Sequence, residues 1–125
     1  TEVVLPLIDS DIANVFEAVA TGVEPAPIVW SKEVTLGIVL ASKGYPGDYA
    51  KGYPIRGTEK VDGTVFHMGT AVKDGELITN GGRVLFVVAK GATLADAHRK
   101  ANEEVSKIEC ENLFYRKDIG HKAFK

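Results

Sequence analysis

The side chains of greatest intrinsic reactivity, three histidines and a single cysteine, follow no catalytic or metal-binding motif. His67, His98 and His121 include no pair at the i, i+4 spacing by which a helix presents two imidazoles to one zinc ion. Cys110 lies between two glutamates, whereas a reactive cysteine needs an electropositive environment that stabilises its thiolate. We therefore expect no metal site and no catalytic residue among them, and expect His67 to be a hydrogen-bonding residue in a strand.

A first glycine-rich stretch, Lys43-Gly44-Tyr45-Pro46-Gly47-Asp48-Tyr49, could bind a ligand. Glycines let a ligand approach the backbone closely, and free amides in such turns can hold an anion. The candidate ligand-binding residues are Gly44, Tyr45, Pro46 and Gly47. The alternative is a tight connection packed by its own tyrosines, and composition alone favours that alternative.

A second glycine-rich stretch, Asn80-Gly81-Gly82-Arg83, places an arginine directly after two glycines. A guanidinium beside open backbone amides suits a phosphate or a carboxylate, because both groups donate hydrogen bonds to oxygen anions. Gly81, Gly82 and Arg83 are therefore candidates for substrate binding. A hairpin turn with Arg83 in a salt bridge explains the same residues equally well.

A third polar cluster, formed by Arg116, Lys117 and Asp118, lies near the end of the chain. Its spacing suggests that Arg116 and Asp118 lock this tail onto the rest of the domain. Elsewhere, the sequence contains neither a Walker A motif nor a dinucleotide-binding glycine fingerprint, so it offers no recognisable ATP-binding or cofactor-binding residues.

Composition narrows the class of protein further. A chain of 125 residues fits one domain with its own core, and a net charge of −2 argues against a broad nucleic-acid surface. A single cysteine excludes an internal disulfide framework and favours a reducing, cytoplasmic compartment. No apolar run reaches the ~18 residues of a membrane helix.

Two helices and several strands must position these candidates. We predict a helix from Ser10 to Thr21, capped by Asp9 or Ser10 and ended by Gly22, with one buried face. Two prolines then predict an extended linker at 23–27. The second helix, 93–108, begins at a capping pair of Thr93 and Asp96 and has an apolar face at helical spacing.

The strands are predicted to follow one another as an antiparallel meander. Branched apolar residues favour strands at 28–42, 61–72 and 83–90, with a short partner strand at 76–79 after an Asp-Gly turn. A last apolar cluster at 113–115 could add one more strand. Together with the helices, this predicts an α+β fold: a small antiparallel sheet flanked by helices.

Five blocks of the sequence, taken together and in order, resemble the C-terminal end of the phosphoribosylamine–glycine ligases. The blocks are Thr1–Leu7, Val39–Tyr49, Phe66–Thr70, Asn80–Leu85 and Tyr115–Gly120. The resemblance covers nearly the whole chain. It implies that the chain starts mid-protein, with the catalytic metal-binding residues and the ATP-binding lysines of the family lying upstream of Thr1.

The resemblance also implies a reaction and a domain plan. These ligases belong to the ATP-grasp superfamily and join phosphoribosylamine to glycine in purine biosynthesis, with ATP and Mg²⁺ or Mn²⁺. Residues 1–22 would end the ATP-grasp domain, 23–27 would be a linker, and 28–125 would form a C-terminal domain similar to that of biotin carboxylase. That domain would pack on the ATP-grasp core and wall the substrate cleft. The fragment alone would be inactive.

Two other interpretations remain open at this point. The chain could be the C-terminal module of another ATP-grasp ligase or carboxylase, or a free-standing binding module. In the ligase interpretation, the two glycine-rich stretches match the family's glycine-rich motifs. Arg83 is then expected to help hold phosphoribosylamine, through its phosphate or by ordering the loop.

Overall fold

The computed structural model describes residues 1–124, so Lys125, the last residue of the predicted domain 28–125, lies outside the described residues. The described part is α+β, as predicted. Its helices and strands are α1 (Ile12–Thr21), β1 (Val34–Ser42), β2 (Thr64–His67), β3 (Thr70–Lys73), β4 (Glu76–Thr79), β5 (Arg83–Gly91), α2 (Leu94–Val105) and β6 (Leu113–Phe114). Short 3₁₀ turns occur at Leu5–Leu7, Thr58–Lys60 and His121–Phe124.

The strands form two antiparallel sheets rather than one meander. A four-stranded sheet has the order β2-β5-β1-β6, and β3 and β4 form a separate two-stranded hairpin. The predicted strand 61–72 is interrupted after His67, because the N–H groups of Met68 and Gly69 both donate to Val84 O at 3.0 Å. This turn sends β3 away from the main sheet, and β5 pairs with β2 and β1 instead of β4.

One face of the main sheet carries α2, and the core lies between them. Along β1, Leu36, Ile38 and Leu40 are buried at every second position, which is the alternation of a strand with one face in the core. The helix contributes Ala97, Ala101 and Val105, all at most 1% exposed. The predicted face of α2 is therefore confirmed. Small alanines let the helix approach the strands closely.

Both helices begin at a side-chain cap. Thr93 Oγ1 accepts from Asp96 N at 3.1 Å, as the sequence predicts. The expected cap of α1 by Asp9 or Ser10 is wrong: the Asp11 carboxylate accepts from Ala13 N at 2.9 Å and Asn14 N at 3.4 Å. Ser10 Oγ is engaged elsewhere, because it accepts from Val29 N at 2.8 Å.

The segment before β1 differs from the prediction in two ways. No residue of α1 is buried within residues 1–124, although a buried face was expected, and Phe16 and Val19 are 58% and 63% exposed. Strand β1 begins at Val34 rather than residue 28. Thr35 Oγ1 donates to Val3 O at 2.6 Å, so the first turn of the chain is attached to β1. No helix within residues 1–124 is long and apolar enough to cross a membrane.

Candidate functional site

The two glycine-rich stretches lie at the same end of the main sheet. The first follows the last residue of β1, and the second precedes the first residue of β5. Because β1 and β5 are antiparallel neighbours, with Ala41 opposite Arg83, the end of one strand meets the start of the other. Ser42 N donates to Gly82 O at 2.8 Å and extends the pairing beyond the strands.

The first stretch is a tight loop packed by its own tyrosines. Gly44 has φ +96°, and a Cβ there would overlap Asp48 O, so the backbone requires glycine at this position. The rings of Tyr45 and Tyr49 meet edge to face, with centroids 6.1 Å apart. The packing that composition favours is therefore present. A role in ligand binding for Gly44, Tyr45, Pro46 and Gly47 stays a prediction.

Tyr45 also connects this loop to the second stretch. Its ring lies directly over Gly82, where any Cβ would overlap the ring carbons. Gly82 is buried as a result. Glycine at this position is thus explained by close packing, and a larger residue would push the Tyr45 ring away from the turn.

The second stretch presents hydrogen-bond donors that the described residues do not use. Within residues 1–124, the N–H groups of Gly81 and Gly82 donate to no acceptor. The Arg83 side chain is exposed and forms neither a hydrogen bond nor a salt bridge with residues 1–124. Buried backbone amides are almost always paired, so the unpaired amide at Gly82 is unusual, and an external acceptor would satisfy it.

This arrangement differs from the hairpin interpretation of the same residues. The strands on either side of the turn, β4 and β5, do not pair with each other, and Arg83 has no carboxylate within 4.0 Å among the described residues. Free backbone amides and a free guanidinium are both groups that bind phosphate or carboxylate oxygens. A role in anion binding for Gly81, Gly82 and Arg83 stays a prediction.

The charge of Arg83 acts on one acidic side chain near the start of the chain, that of Glu2. The pKa of the Glu2 carboxyl is held below its usual value, chiefly by a backbone hydrogen bond, then by the N-terminal amine and in small part by the charge of Arg83.

The turn is supported from the other side by the connection between β2 and β3. Gly69 packs against Gly81 so closely that a Cβ on Gly69 would lie 2.8 Å from Gly81 Cα. Asn80 N donates to Gly69 O at 2.8 Å. In the same connection His67 Nδ1 lies 3.0 Å from Thr70 Oγ1, which confirms His67 as a hydrogen-bonding residue.

A cavity of about 350 Å³ lies next to the first loop. Its lining is mainly apolar and comprises Gly37, Val39, Ala41, Tyr45, Phe114, Tyr115, Arg116 and Ile119. Arg116 at its edge is already engaged, because it donates to both Asp118 carboxylate oxygens at 3.0 and 2.7 Å. This ion pair lowers the pKa of Asp118. Both partners belong to the tail, so the pair does not itself attach the tail to the rest of the domain, which stays a prediction.

The described residues do not assemble a metal centre. Residues 1–124 contain no group of three or more histidine, cysteine or acidic side chains placed to hold a metal ion. Cys110 is a free, partly exposed thiol.

Two residues that hold the loops in place were not singled out from the sequence. Ser42 is fully buried, and its Oγ donates to Gly81 O at 2.8 Å. Asn112 accepts from Lys43 N at 2.9 Å and donates from Nδ2 to Ala50 O at 3.0 Å, so it closes the first loop from β6. The sequence signal that could have pointed to Ser42 is its position, because it is a polar residue between a predicted buried strand and a glycine-rich loop.

Known proteins resemble this chain over nearly all its length. The "Phosphoribosylamine--glycine ligase" of Halalkalibacterium halodurans is 50% identical, over 98% of this chain and 29% of the relative. The "Trifunctional purine biosynthetic protein adenosine-3" of Gallus gallus is 43% identical, over 98% of this chain and 13% of the relative. The chain thus spans less than a third of the length of each relative.

A solved structure and a family model point to the same kind of protein as these relatives. The crystal structure of the phosphoribosylamine–glycine ligase from Thermotoga maritima superposes with a TM-score of 0.84 at 37% identity, over 95% of this chain and 30% of that one. The family model "Phosphoribosylglycinamide synthetase, C domain" matches residues 35–122, which include both glycine-rich stretches and Arg83. This chain therefore belongs to the family of phosphoribosylglycinamide synthetase C domains.

Proposed function

We propose that this chain is the C-terminal portion of an ATP-dependent ligase that joins phosphoribosylamine and glycine in purine biosynthesis. Its relatives carry the name of that ligase, and the family model is that of its C domain. The products are glycinamide ribonucleotide, ADP and phosphate. The single observation that supports a part for this chain in the reaction is the turn at Gly81, Gly82 and Arg83, whose two glycine amides and arginine side chain have no partner within residues 1–124.

The reaction requires two group transfers. ATP, with Mg²⁺ or Mn²⁺, supplies the activated phosphoryl group that the glycine carboxylate oxygen takes, which gives glycyl phosphate. The amine of phosphoribosylamine then attacks the glycyl carbonyl carbon, phosphate leaves with the electrons of the C–O bond, and the amine loses a proton. We propose that the rest of the ligase holds ATP and metal, so that the fragment alone is inactive.

In this proposal the chain binds and orients the phosphoribosyl substrate. Its phosphate group would accept hydrogen bonds from the Gly81 and Gly82 amides and from the guanidinium of Arg83. The loop that contains Gly44, Tyr45, Pro46 and Gly47 would form the adjacent wall of the cleft. The phosphate is remote from the reacting amine, but binding it fixes the substrate and so orients the amine for attack, which raises the rate.

The proposed domain division assigns residues 1–22 to the end of an ATP-grasp domain, 23–27 to a linker and 28–125 to the C-terminal domain. The exposure of Phe16 and Val19 on α1 supports it, because such apolar side chains normally pack against a neighbour. We propose that the missing ATP-grasp core covers them. A cytoplasmic location without nucleic-acid or membrane partners suits a ligase of small metabolites.

Replacement of Arg83 in the intact ligase tests the proposed role. We expect Arg83→Ala to raise the KM for phosphoribosylamine by about tenfold to a hundredfold, since a hydrogen bond to a charged group contributes about 1.5–3 kcal/mol. The KM values for glycine and ATP should stay unchanged. Arg83→Lys should give a KM for phosphoribosylamine between those of wild type and Arg83→Ala, because lysine keeps the charge but loses the planar fork.

The matched control is Arg56→Ala. Arg56 is also an exposed arginine, but it lies 3.8 Å from Glu76 in a surface ion pair, remote from the glycine turn in the sequence. This variant should keep all three KM values. Unchanged kinetics of a folded Arg83→Ala enzyme would refute the proposed role.

A further inference from the structure

Ser42 joins the two glycine-rich loops from a fully buried position. Its side chain is 0% exposed. Its Oγ donates to Gly81 O and its N–H donates to Gly82 O, each at 2.8 Å. Its own carbonyl oxygen accepts from Tyr45 N at 3.0 Å. One residue therefore holds two successive carbonyls of the second stretch and one amide of the first.

These bonds fix the direction in which the turn presents its amides. In a planar trans peptide, the carbonyl oxygen and the following N–H point to opposite sides. Because the carbonyls of Gly81 and Gly82 both point to Ser42, the N–H groups of Gly82 and Arg83 point away from it. The Gly82 N–H has no acceptor within residues 1–124.

Glycine makes this orientation dependent on an external contact. A peptide between two glycines rotates with little steric resistance, since neither residue has a Cβ. The Ser42 N–H bond continues the ladder between β1 and β5, and it restrains the peptide between Gly82 and Arg83. The peptide between Gly81 and Gly82 is held through its carbonyl by the Ser42 hydroxyl.

We propose that Ser42 is a positioning residue for the anion-binding turn: its hydroxyl fixes the Gly81–Gly82 peptide so that the Gly82 amide faces the substrate phosphate. This inference rests on the proposed function of Gly81, Gly82 and Arg83. Ser42 itself does not touch substrate. Without the hydroxyl, the peptide samples other orientations, and binding must pay the entropy of ordering it.

The test compares Ser42→Ala with wild type in the intact ligase. The probe is glycinamide ribonucleotide, measured by isothermal titration, together with steady-state kinetics. We expect Ser42→Ala to weaken binding of the probe and to raise the KM for phosphoribosylamine by about tenfold. The kcat and the KM values for glycine and ATP should change less than about twofold. Ser42→Cys, a weaker donor of similar size, should lie between wild type and Ser42→Ala.

Thr79→Val is the matched control. Thr79 is also 0% exposed, and its hydroxyl oxygen accepts from Tyr53 N at 3.1 Å, so this variant removes a buried hydroxyl of the neighbouring hairpin. Thr79→Val should lower thermal stability without weakening binding of the probe. Equal weakening by Thr79→Val and Ser42→Ala would show a general loss of structure and would overturn the inference.

The remaining outcomes separate the inference from the function on which it rests. One outcome is that Arg83→Ala weakens binding of the probe while Ser42→Ala and Ser42→Cys leave it unchanged. In that case the positioning role of Ser42 is wrong and the proposed anion site stands. If folded Arg83→Ala binds the probe as wild type does, the proposed site itself fails. Should Ser42→Ala not fold, Ser42→Cys decides, and wild-type affinity in that variant would overturn the inference.

Discussion

Replacement of Glu104 by glutamine is expected to destabilise the domain in a way that depends on pH. Glu104 is a carboxylate on α2 that is only 9% exposed. It accepts from Asp62 N at 2.7 Å and from Lys107 Nζ at 2.7 and 2.8 Å. It therefore attaches the loop before β2 to the helix. Burial raises its pKa, but the hydrogen bonds from Lys107 and Asp62 more than offset this effect, so that the pKa lies below the ordinary value of 4.5.

The size of the effect follows from these contacts. A hydrogen bond to a charged acceptor contributes about 1.5–3 kcal/mol, against about 0.5–1.5 kcal/mol for a neutral one. Glutamine keeps an oxygen for the Asp62 amide but loses the charge, which costs about 1 kcal/mol there. The Lys107 side chain is 35% exposed, so its ion pair is screened and adds at most about 1 kcal/mol. We expect Glu104→Gln to lower the free energy of unfolding by about 2 kcal/mol at pH 7.

The difference between Glu104→Gln and wild type should become smaller on acidification. A carboxyl whose pKa is lower in the folded state contributes stability above its unfolded pKa, and this stability is lost as pH falls through the folded pKa. Urea unfolding at pH 7 and pH 3, followed by circular dichroism, measures the difference. Glu103→Gln is the control, because Glu103 lies on the exposed side of α2 and pairs with Arg99. An equal loss for Glu104→Gln at both pH values would refute the reasoning.

Two other substitutions test how the sheet and α1 are built. Gly37→Ala should destabilise the domain by about 1–3 kcal/mol in urea unfolding, because a Cβ would overlap the Phe86 ring, and Phe86→Leu in the same chain should recover part of the loss. No recovery would show that the overlap is not the cause. Asp11→Ala should lower hydrogen-exchange protection of the α1 amides by about 1 kcal/mol through loss of the cap. Asp9→Ala should leave that protection unchanged, and an equal effect would contradict the assignment of the cap.

The sequence predicted the elements better than their pairing. The period of α2 and the Asp74-Gly75 turn are local properties, and both are confirmed: the two turn residues have φ of 52° and 82°. The order β2-β5-β1-β6 depends on where the chain turns at Met68 and Gly69, which bond to Val84 from a distant part of the sequence. No local propensity encodes that contact. The α1 cap was misassigned because Asp9, Ser10 and Asp11 are all good capping residues, and Ser10 is used by Val29.

The candidate site was predictable in composition but not in assembly. Glycines beside Arg83 suggested either an anion-binding turn or a hairpin turn with Arg83 in a salt bridge, and the sequence alone did not decide between them. That the loop containing Gly44 would meet this turn depends on the antiparallel pairing of β1 with β5, and on the Tyr45 ring over Gly82. Ser42 escaped notice because a lone serine carries no signal until its buried partners are known. The resemblance to a known family predicted only that both loops match its glycine-rich motifs.

The shared end of β1 and β5 also constrains how the two loops can diverge among homologues. A residue inserted in the turn at 80–83 would shift Gly82 relative to both Ser42 and Tyr45, so it would need a compensating change in the loop at 43–49. The tip of the β3–β4 hairpin has no such coupling, because Asp74 and Gly75 are exposed. Length variation among homologues should therefore collect at this tip, which is also the natural attachment point for a reporter group.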